Sequence, residues 1–90
     1  SQGEFQEVRM ELNYGQYIPS VLEVKVGIPV RWIIDVKHST GCTNIIQIPK
    51  HRIRQRLKEG INTIEFTPQE KGRLDFSCGM QMVWGRFIVK

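Results

Sequence analysis

The sequence contains no unbroken run of apolar residues as long as the roughly 20 that a membrane-spanning helix needs. Its first ten residues include acidic side chains and lack the apolar core of a secretory signal peptide. No stretch repeats its apolar residues about every 3.6 positions, so amphipathic helices are not expected. Histidine is also scarce, with two residues and none after His51. We therefore expect no membrane span, and any membrane anchor would lie in a segment outside this sequence.

The composition is that of an ordinary globular domain. The chain has 90 residues, of which 40% are hydrophobic and 24% are charged. A chain of this length usually forms one compact unit, and these proportions are unlike those of disordered segments. We therefore expect a single domain over residues 1–90, and we expect a monomer.

Apolar and polar residues alternate along most of the sequence, which is the pattern of strands with one buried face. The segments concerned are 8–12, 22–26, 30–36, 43–48, 61–67, 73–78 and 85–90. Residues that favour turns separate them, namely the segment 17–20, Gly27, Gly60, Gly72 and Gly79. About seven short strands in a chain of this length predict an all-β fold, a Greek-key β-sandwich of antiparallel strands.

Positive charge is concentrated in the second half of the chain. Residues 1–45 hold four basic and five acidic residues, whereas residues 46–90 hold nine and four. Much of the excess lies in one segment with a basic residue at every second position: Lys50, Arg52, Arg54, Arg56 and Lys58. In a single strand these five would share one face, with Ile53 and Leu57 on the other. The segment then forms either a sheet edge protected by charge or a docking site for an acidic partner. We do not expect it to bind nucleic acid, because no aromatic residue that could stack on bases lies between the basic ones.

Three of the five sulfur-containing residues lie in the pentapeptide 78–82. Side chains alternate along an extended segment, so Cys78, Met80 and Met82 can point in the same direction. Isolated methionines usually fill gaps in a core. This pair, however, follows a cysteine and lies between Gly79 and Gly85, where a loop between two strands is expected and glycine lets the backbone wrap closely around a small ligand. The pattern favours a metal-binding loop.

The second cysteine, Cys42, lies in a polar turn that leads into the strand 43–48. Ligand-bearing loops on a β scaffold commonly gather at one end, which would bring Cys42, Cys78, Met80 and Met82 together. Thiolate and thioether ligands are soft and suit Cu(I), whereas Zn(II) takes cysteine, histidine and carboxylate ligands and gains little from methionine. The four sulfur side chains therefore point to Cu(I).

Other interpretations of the two cysteines remain open. A disulfide between Cys42 and Cys78 would close a loop of about 37 residues and would staple a β-sandwich interaction module that binds no metal. Two inert buried thiols are the ordinary state of cysteine in an intracellular protein. A redox enzyme is least favoured, because the sequence has no Cys-x-x-Cys pair and only two histidines that could act as a base.

The chain also carries a set of spaced motifs. They are Tyr17-x-Pro19, Val24-x-Val26-Gly27-x-Pro29-Val30-x-Trp32, Gly41-Cys42, Gly60-x-Asn62-x-Ile64-x-Phe66-x-Pro68, Gly72, Phe76-x-Cys78-Gly79-Met80-x-Met82 and Gly85-x-Phe87-x-Val89. Together they resemble the cupredoxin-like domains of bacterial copper handling, from about residue 14 to residue 90. Within that superfamily the chain resembles the Cu(I)-binding group of Gram-positive bacteria, which includes membrane-anchored copper chaperones and the N-terminal domains of copper-exporting P-type ATPases.

The resemblance implies a cupredoxin-like sandwich that is not an enzyme and in which Cys42, Cys78, Met80 and Met82 hold two Cu(I) ions. It implies copper chaperoning, sequestration or delivery on the cytoplasmic side of the membrane, with a copper-exporting P-type ATPase or a copper chaperone as partner. Blue-copper electron-transfer sites use two histidines, one cysteine and an axial methionine. Here Cys42 stands where the first-loop histidine is expected, and no histidine follows Cys78. His38 is a further candidate ligand, although a surface histidine is the commoner case.

Overall fold

The computed structural model of the chain describes residues 5–13, 16–38, 45–79 and 83–90. These residues form nine β-strands and one short 3-10 helix. The strands are β1 (Gln6–Asn13), β2 (Gln16–Ile18), β3 (Val21–Val24), β4 (Val30–His38), β5 (Ile45–Ile48), β6 (Ile53–Arg56), β7 (Gly60–Phe66), β8 (Gly72–Cys78) and β9 (Trp84–Val89), and the 3-10 helix is Pro49–His51. Within the described ranges, no helix has the length and the hydropathy to cross a membrane.

The strands form two sheets that pack face to face. The four-stranded sheet has the order β2-β1-β4-β7, and the five-stranded sheet has the order β3-β9-β8-β5-β6. Burial alternates along the strands, so that in β8 Leu74 and Phe76 are buried whereas Arg73 and Asp75 face outward. The predicted all-β sandwich is confirmed.

Two strand pairs are parallel, which differs from the antiparallel sandwich expected from the sequence. β1 runs parallel to β4, and β3 runs parallel to β9. Parallel neighbours need a crossover connection, and the chain provides one between β1 and β4 by placing β3 in the opposite sheet. The strand β2 occupies part of the predicted turn 17–20, because Tyr17 is buried in the core and its backbone pairs with Leu12 of β1.

The basic segment 50–58 is not one strand, so the prediction that its basic side chains share one face is wrong. Pro49 opens the 3-10 helix, a position at which its missing N–H is tolerated. Arg52 closes the helix in the left-handed region, with a φ of 56°, and donates its backbone N–H to the Pro49 carbonyl oxygen at 3.1 Å. The alternation restarts after this turn in β6, which lies at the edge of the five-stranded sheet. That place agrees with a sheet edge protected by charge.

Aromatic rings join the two sheets in the centre of the core. The fully buried Trp32 of β4 packs edge-on against Phe76 of β8, with 4.6 Å between ring centroids, and against Phe87 of β9, with 4.9 Å between them. Phe76 and Phe87 also contact each other at 5.2 Å. Aromatic pairs in such edge-to-face arrangements contribute about 0.5–1.5 kcal/mol each beyond the burial of their surface.

Gly85 fits this core because it has no side chain. It lies opposite Phe76 in the β8–β9 pair, and a methyl group there would overlap Cζ and Cε1 of the Phe76 ring and would lie 2.9 Å from the Ser20 carbonyl oxygen. We expect Gly85→Ala to destabilise the domain by about 1–3 kcal/mol through overpacking. Urea denaturation of Gly85→Ala measures this cost. The same substitution combined with Phe76→Leu is the control, since it should cost less once the ring is gone; an equal cost in both backgrounds would contradict the explanation.

Candidate functional site

Cys78 is the last residue of β8 and is completely buried. By the alternation of the strand its side chain lies on the core side of the five-stranded sheet, as Phe76 does, and it carries a buried thiol. Its backbone N–H donates to the carbonyl oxygen of Val83 at 3.0 Å. This hydrogen bond joins the two ends of the segment 79–82, which connects β8 to β9.

The start of β5 lies beside the end of β8. Ile46 pairs with Cys78 in the antiparallel register, and the backbone N–H of Gly79 donates to the carbonyl oxygen of Ile45 at 3.0 Å. The chain therefore enters β5 and leaves β8 at the same end of the five-stranded sheet. The segments that adjoin this end are 39–44 and 79–82.

Of the predicted ligands, the structure places only Cys78. Cys42, Met80 and Met82 lie outside the described residues, and so does the side chain of His38. Their predicted roles stay predictions. Among the residues that are described, no group of three histidine, cysteine, aspartate or glutamate side chains is arranged to hold a metal ion.

A ladder of side chains on the outer face of the five-stranded sheet leads to the Cys78 backbone. Arg54 Nη1 donates to Gln47 Oε1 at 3.1 Å, and Gln47 Nε2 donates to Ser77 Oγ at 3.3 Å. The fully buried Ser77 hydroxyl then donates to the Cys78 carbonyl oxygen at 3.0 Å. The three side chains are cross-strand neighbours on β6, β5 and β8. Sequence reasoning missed this ladder, and its only local signal is a serine directly before the cysteine.

Gly79 packs closely against two of the neighbouring side chains. A Cβ atom on Gly79 would lie 3.2 Å from Ile45 Cβ and 3.5 Å from Arg54 Nη2. The sequence suggested that this glycine lets the backbone wrap around a small ligand. The structure adds a second reason for glycine, since β5 and β6 leave little space at this point.

Residues 1–89 match the cupredoxin-like domain family. The chain belongs to this family. The cupredoxin-like part of the resemblance is therefore confirmed. Among curated proteins, no match to the sequence was found.

Solved structures resemble this cupredoxin-like domain in shape, and some of them also resemble it in sequence. The metal-binding domain of the Cu(I)-exporting P-type ATPase CopA from Streptococcus pneumoniae D39, determined with Cu(I), is 28% identical, with a TM-score of 0.90 over 100% of this chain and 90% of that chain. A copper-binding protein determined by NMR in the apo form is 32% identical, with a TM-score of 0.89 over 100% of this chain and 92% of that chain. A reduced amicyanin variant, at 16% identity and a TM-score of 0.68 over 100% of this chain and 94% of that chain, shares the fold.

The Arg54–Gln47–Ser77 ladder predicts a stability cost when its middle member is removed. In Gln47→Leu the buried Ser77 hydroxyl loses a donor and Arg54 loses its acceptor, so the domain should lose about 1–2 kcal/mol of unfolding free energy. Urea denaturation measures the loss, and hydrogen exchange at the Gly79 amide reports whether the end of β8 loosens. Gln55→Leu is the matched control, because the Gln55 amide donates a surface hydrogen bond to the carbonyl oxygen of the adjacent Arg56, at 3.4 Å, and takes no part in the ladder. Equal costs for the two variants would contradict a special role for the ladder.

Proposed function

We propose that this cupredoxin-like domain binds Cu(I) as cargo through Cys42, Cys78, Met80 and Met82, for sequestration or delivery. The observation that carries the proposal is the pairing of β5 with β8 beside Cys78, with the Gly79 N–H on the Ile45 carbonyl oxygen. It brings the buried Cys78 beside the start of β5. In the sequence, Cys42 precedes the start of β5, and Met80 and Met82 follow Cys78.

Chain connectivity limits how far those three residues can lie from Cys78. Cys42 precedes Ile45 by three residues, and three Cα–Cα steps span at most about 11 Å. Met80 and Met82 belong to the segment 79–82, whose flanking residues Cys78 and Val83 are hydrogen-bonded to each other at 3.0 Å. Along the chain, Cys42, Met80 and Met82 therefore each lie within four residues of the strand ends at which β5 begins and β8 ends.

The chemistry of these four side chains fits Cu(I). Two thiolates and two thioethers form a soft set of ligands, and no histidine follows His51 to complete a blue-copper site. Two thiolates and two Cu(I) ions together carry no net charge, which lowers the desolvation cost at a buried residue such as Cys78. We therefore propose a site for two Cu(I) ions that does not cycle between Cu(I) and Cu(II).

The comparisons support a role in copper handling. The pneumococcal domain belongs to a Cu(I) exporter and was determined with Cu(I), and the second relative is a copper-binding protein. By analogy we propose that residues 1–90 form one monomeric, non-catalytic domain on the cytoplasmic side. If it acts as a copper chaperone, its partner would be a copper-exporting P-type ATPase. If it is the metal-binding domain of such an ATPase, its partner would be a copper chaperone.

The first test is the copper stoichiometry of the reduced domain. Titration with Cu(I) against a chromogenic chelator should give two ions per chain, because two thiolates can balance two monovalent charges. Addition of Cu(II) should give no intense blue absorption, since the imidazole ligands are missing. Failure to bind Cu(I), together with loss of both thiols to a disulfide under air, would instead favour the metal-free interaction module.

The two cysteines and the two methionines should have different effects on copper binding. Thiolates carry charge and can bridge both ions, so Cys42→Ser and Cys78→Ser should each abolish tight binding of both. Thioethers are neutral, weaker ligands at terminal positions, so Met80→Leu and Met82→Leu should each weaken or release one ion. Chelator competition on the four variants measures the difference.

Met10→Leu provides the matched control for the methionine variants. Met10 is only 2% exposed in β1 and belongs to the hydrophobic core, so its substitution should leave both Cu(I) ions bound. If Met80→Leu and Met82→Leu lose both ions together, or behave like Met10→Leu, the proposed division between cysteine and methionine is wrong.

A further inference from the structure

The outer face of the four-stranded sheet balances its charges within itself. Within the described ranges, the basic side chains of this face form ion pairs with carboxylates on the same face: Arg9 with Glu7 at 3.2 Å, Arg31 with Glu65 at 3.2 Å and Lys37 with Asp35 at 3.0 Å. The hydrogen bond that Lys37 donates to Asp35, and the negative charge of Asp35, raise the pKa of Lys37 above its ordinary value. One carboxylate, Glu11, is left over, so this face has a slight negative excess.

The outer face of the five-stranded sheet has a positive excess. Three of its basic side chains are paired: Arg73 with Asp75 at 3.4 Å, Lys50 with Glu70 at 3.6 Å and Lys90 with Glu23 at 3.1 Å. Three more arginines, Arg54, Arg56 and Arg86, form no ion pair with any residue in the described ranges. The two faces of one small domain therefore differ in the sign of their net charge.

A half-exposed tryptophan, the first residue of β9, lies on this positive face. Trp84 is 49% exposed and borders two shallow hollows. One, of about 370 Å³, lies between Trp84, Val21 and Arg86, and the other, of about 380 Å³, lies between Trp84, Pro49 and Lys50; Arg73 and Asp75 line both. We call the surface formed by Lys50, Arg54, Arg56, Arg73, Trp84 and Arg86 the basic face.

We propose that the basic face docks an acidic surface of a partner protein, with Trp84 as its apolar anchor. Tryptophan and arginine are enriched among the residues that dominate binding energy at protein interfaces, and an excess of one charge speeds the encounter with a surface of the opposite charge. The proposal rests on the proposed function in one respect, that the partner is the protein that gives or receives Cu(I).

The basic face adjoins the candidate copper site. Trp84 is the cross-strand neighbour of Ser77, and it follows Val83, whose carbonyl oxygen accepts the Cys78 N–H at 3.0 Å. A partner that covers Trp84 therefore lies against the backbone that closes the segment 79–82. This is where a protein that exchanges an ion with Cys78 needs to bind.

Two features favour a protein over a nucleic acid or a membrane. Asp75, between the two hollows, would repel phosphate groups but could pair with a basic side chain of a protein. Among the described residues, Trp84 is the one aromatic side chain that lines either hollow, whereas single-stranded nucleic acid is usually held by several stacked aromatic residues.

The binding test uses the reduced apo domain labelled with ¹⁵N and a short synthetic peptide of alternating glutamate and leucine. We expect chemical-shift changes at the Trp84 indole and at the amides of Arg54 and Arg86, with affinity falling about tenfold as salt rises from about 0.02 M to about 0.2 M. The same peptide with glutamine in place of glutamate should not bind. Equal binding of the glutamine peptide, or shifts confined to the four-stranded sheet, would overturn the proposal.

Matched charge reversals separate the basic face from the total charge. Arg56→Glu combined with Arg86→Glu should weaken binding of the glutamate peptide more than about tenfold. Arg9→Glu combined with Lys37→Glu makes the same change in net charge on the opposite face and should change binding less than about twofold. Trp84→Ser should also weaken binding, but without changing its salt dependence. Equal effects of the two double variants would refute a localised docking surface.

Two further probes identify the class of partner. Oligothymidine and vesicles containing phosphatidylserine should bind more weakly than the glutamate peptide, and tighter binding of either would replace the protein partner by nucleic acid or membrane. Cu(I) titration of the same samples separates this proposal from the proposed function. If the domain binds the peptide but no Cu(I), the docking proposal stands and the proposed copper function is wrong. If the domain binds Cu(I) but not the peptide, the copper function stands and the docking proposal is wrong.

Discussion

The geometry of the candidate site depends on the pairing of β5 with β8. This pairing joins Ile46 with Cys78 and Gln47 with Ser77, and the Gly79 N–H donates to the Ile45 carbonyl oxygen at 3.0 Å. Because the strands are antiparallel, the chain that enters β5 and the chain that leaves β8 meet at one end of the sheet. A shift of two residues along β5 would move the start of this strand, which Cys42 precedes by three residues, about 7 Å away from Cys78.

The side chains of Ser77 and Cys78 lie on opposite faces of the five-stranded sheet. Both are completely buried, but strand alternation directs Cys78 toward the core and Ser77 toward the outer face. Ser77 is covered there by Gln47, and its hydroxyl donates to the Cys78 carbonyl oxygen. The polar ladder that begins at Arg54 thus ends on the backbone of the candidate ligand. The basic face and the buried thiol consequently lie on opposite sides of the same β-sheet.

The sequence predicted the positions of most strands, because alternation is a local signal: the segments 30–36 and 73–78 lie within β4 and β8. It did not predict the parallel pairs, since strand order depends on contacts between distant residues. The basic segment was misinterpreted because its basic residues recur at every second position both in the turn 49–52 and in the strand that follows. The left-handed backbone of Arg52 ends the turn, and β6 begins only after it. The spacing of Cys78, Met80 and Met82 indicated copper chemistry, whereas Gln47 and Arg54, which are linked to the Cys78 carbonyl oxygen through Ser77, come from other strands and leave no local pattern.

Complete burial of Cys78 sets a condition on any ion that it binds. A thiolate is costly to bury without a compensating charge, and a metal ligand has to be a thiolate. Under the proposed function, Cu(I) supplies that charge as the proton leaves, so copper binding and deprotonation occur together. The Cys78 side chain has no surface exposed to solvent, and the sulfur residues nearest to it in sequence are the neutral Met80 and Met82. The proposed division between weak thioether ligands and strong thiolate ligands would suit a carrier, since a partner could compete for the methionines before it competes for the cysteines.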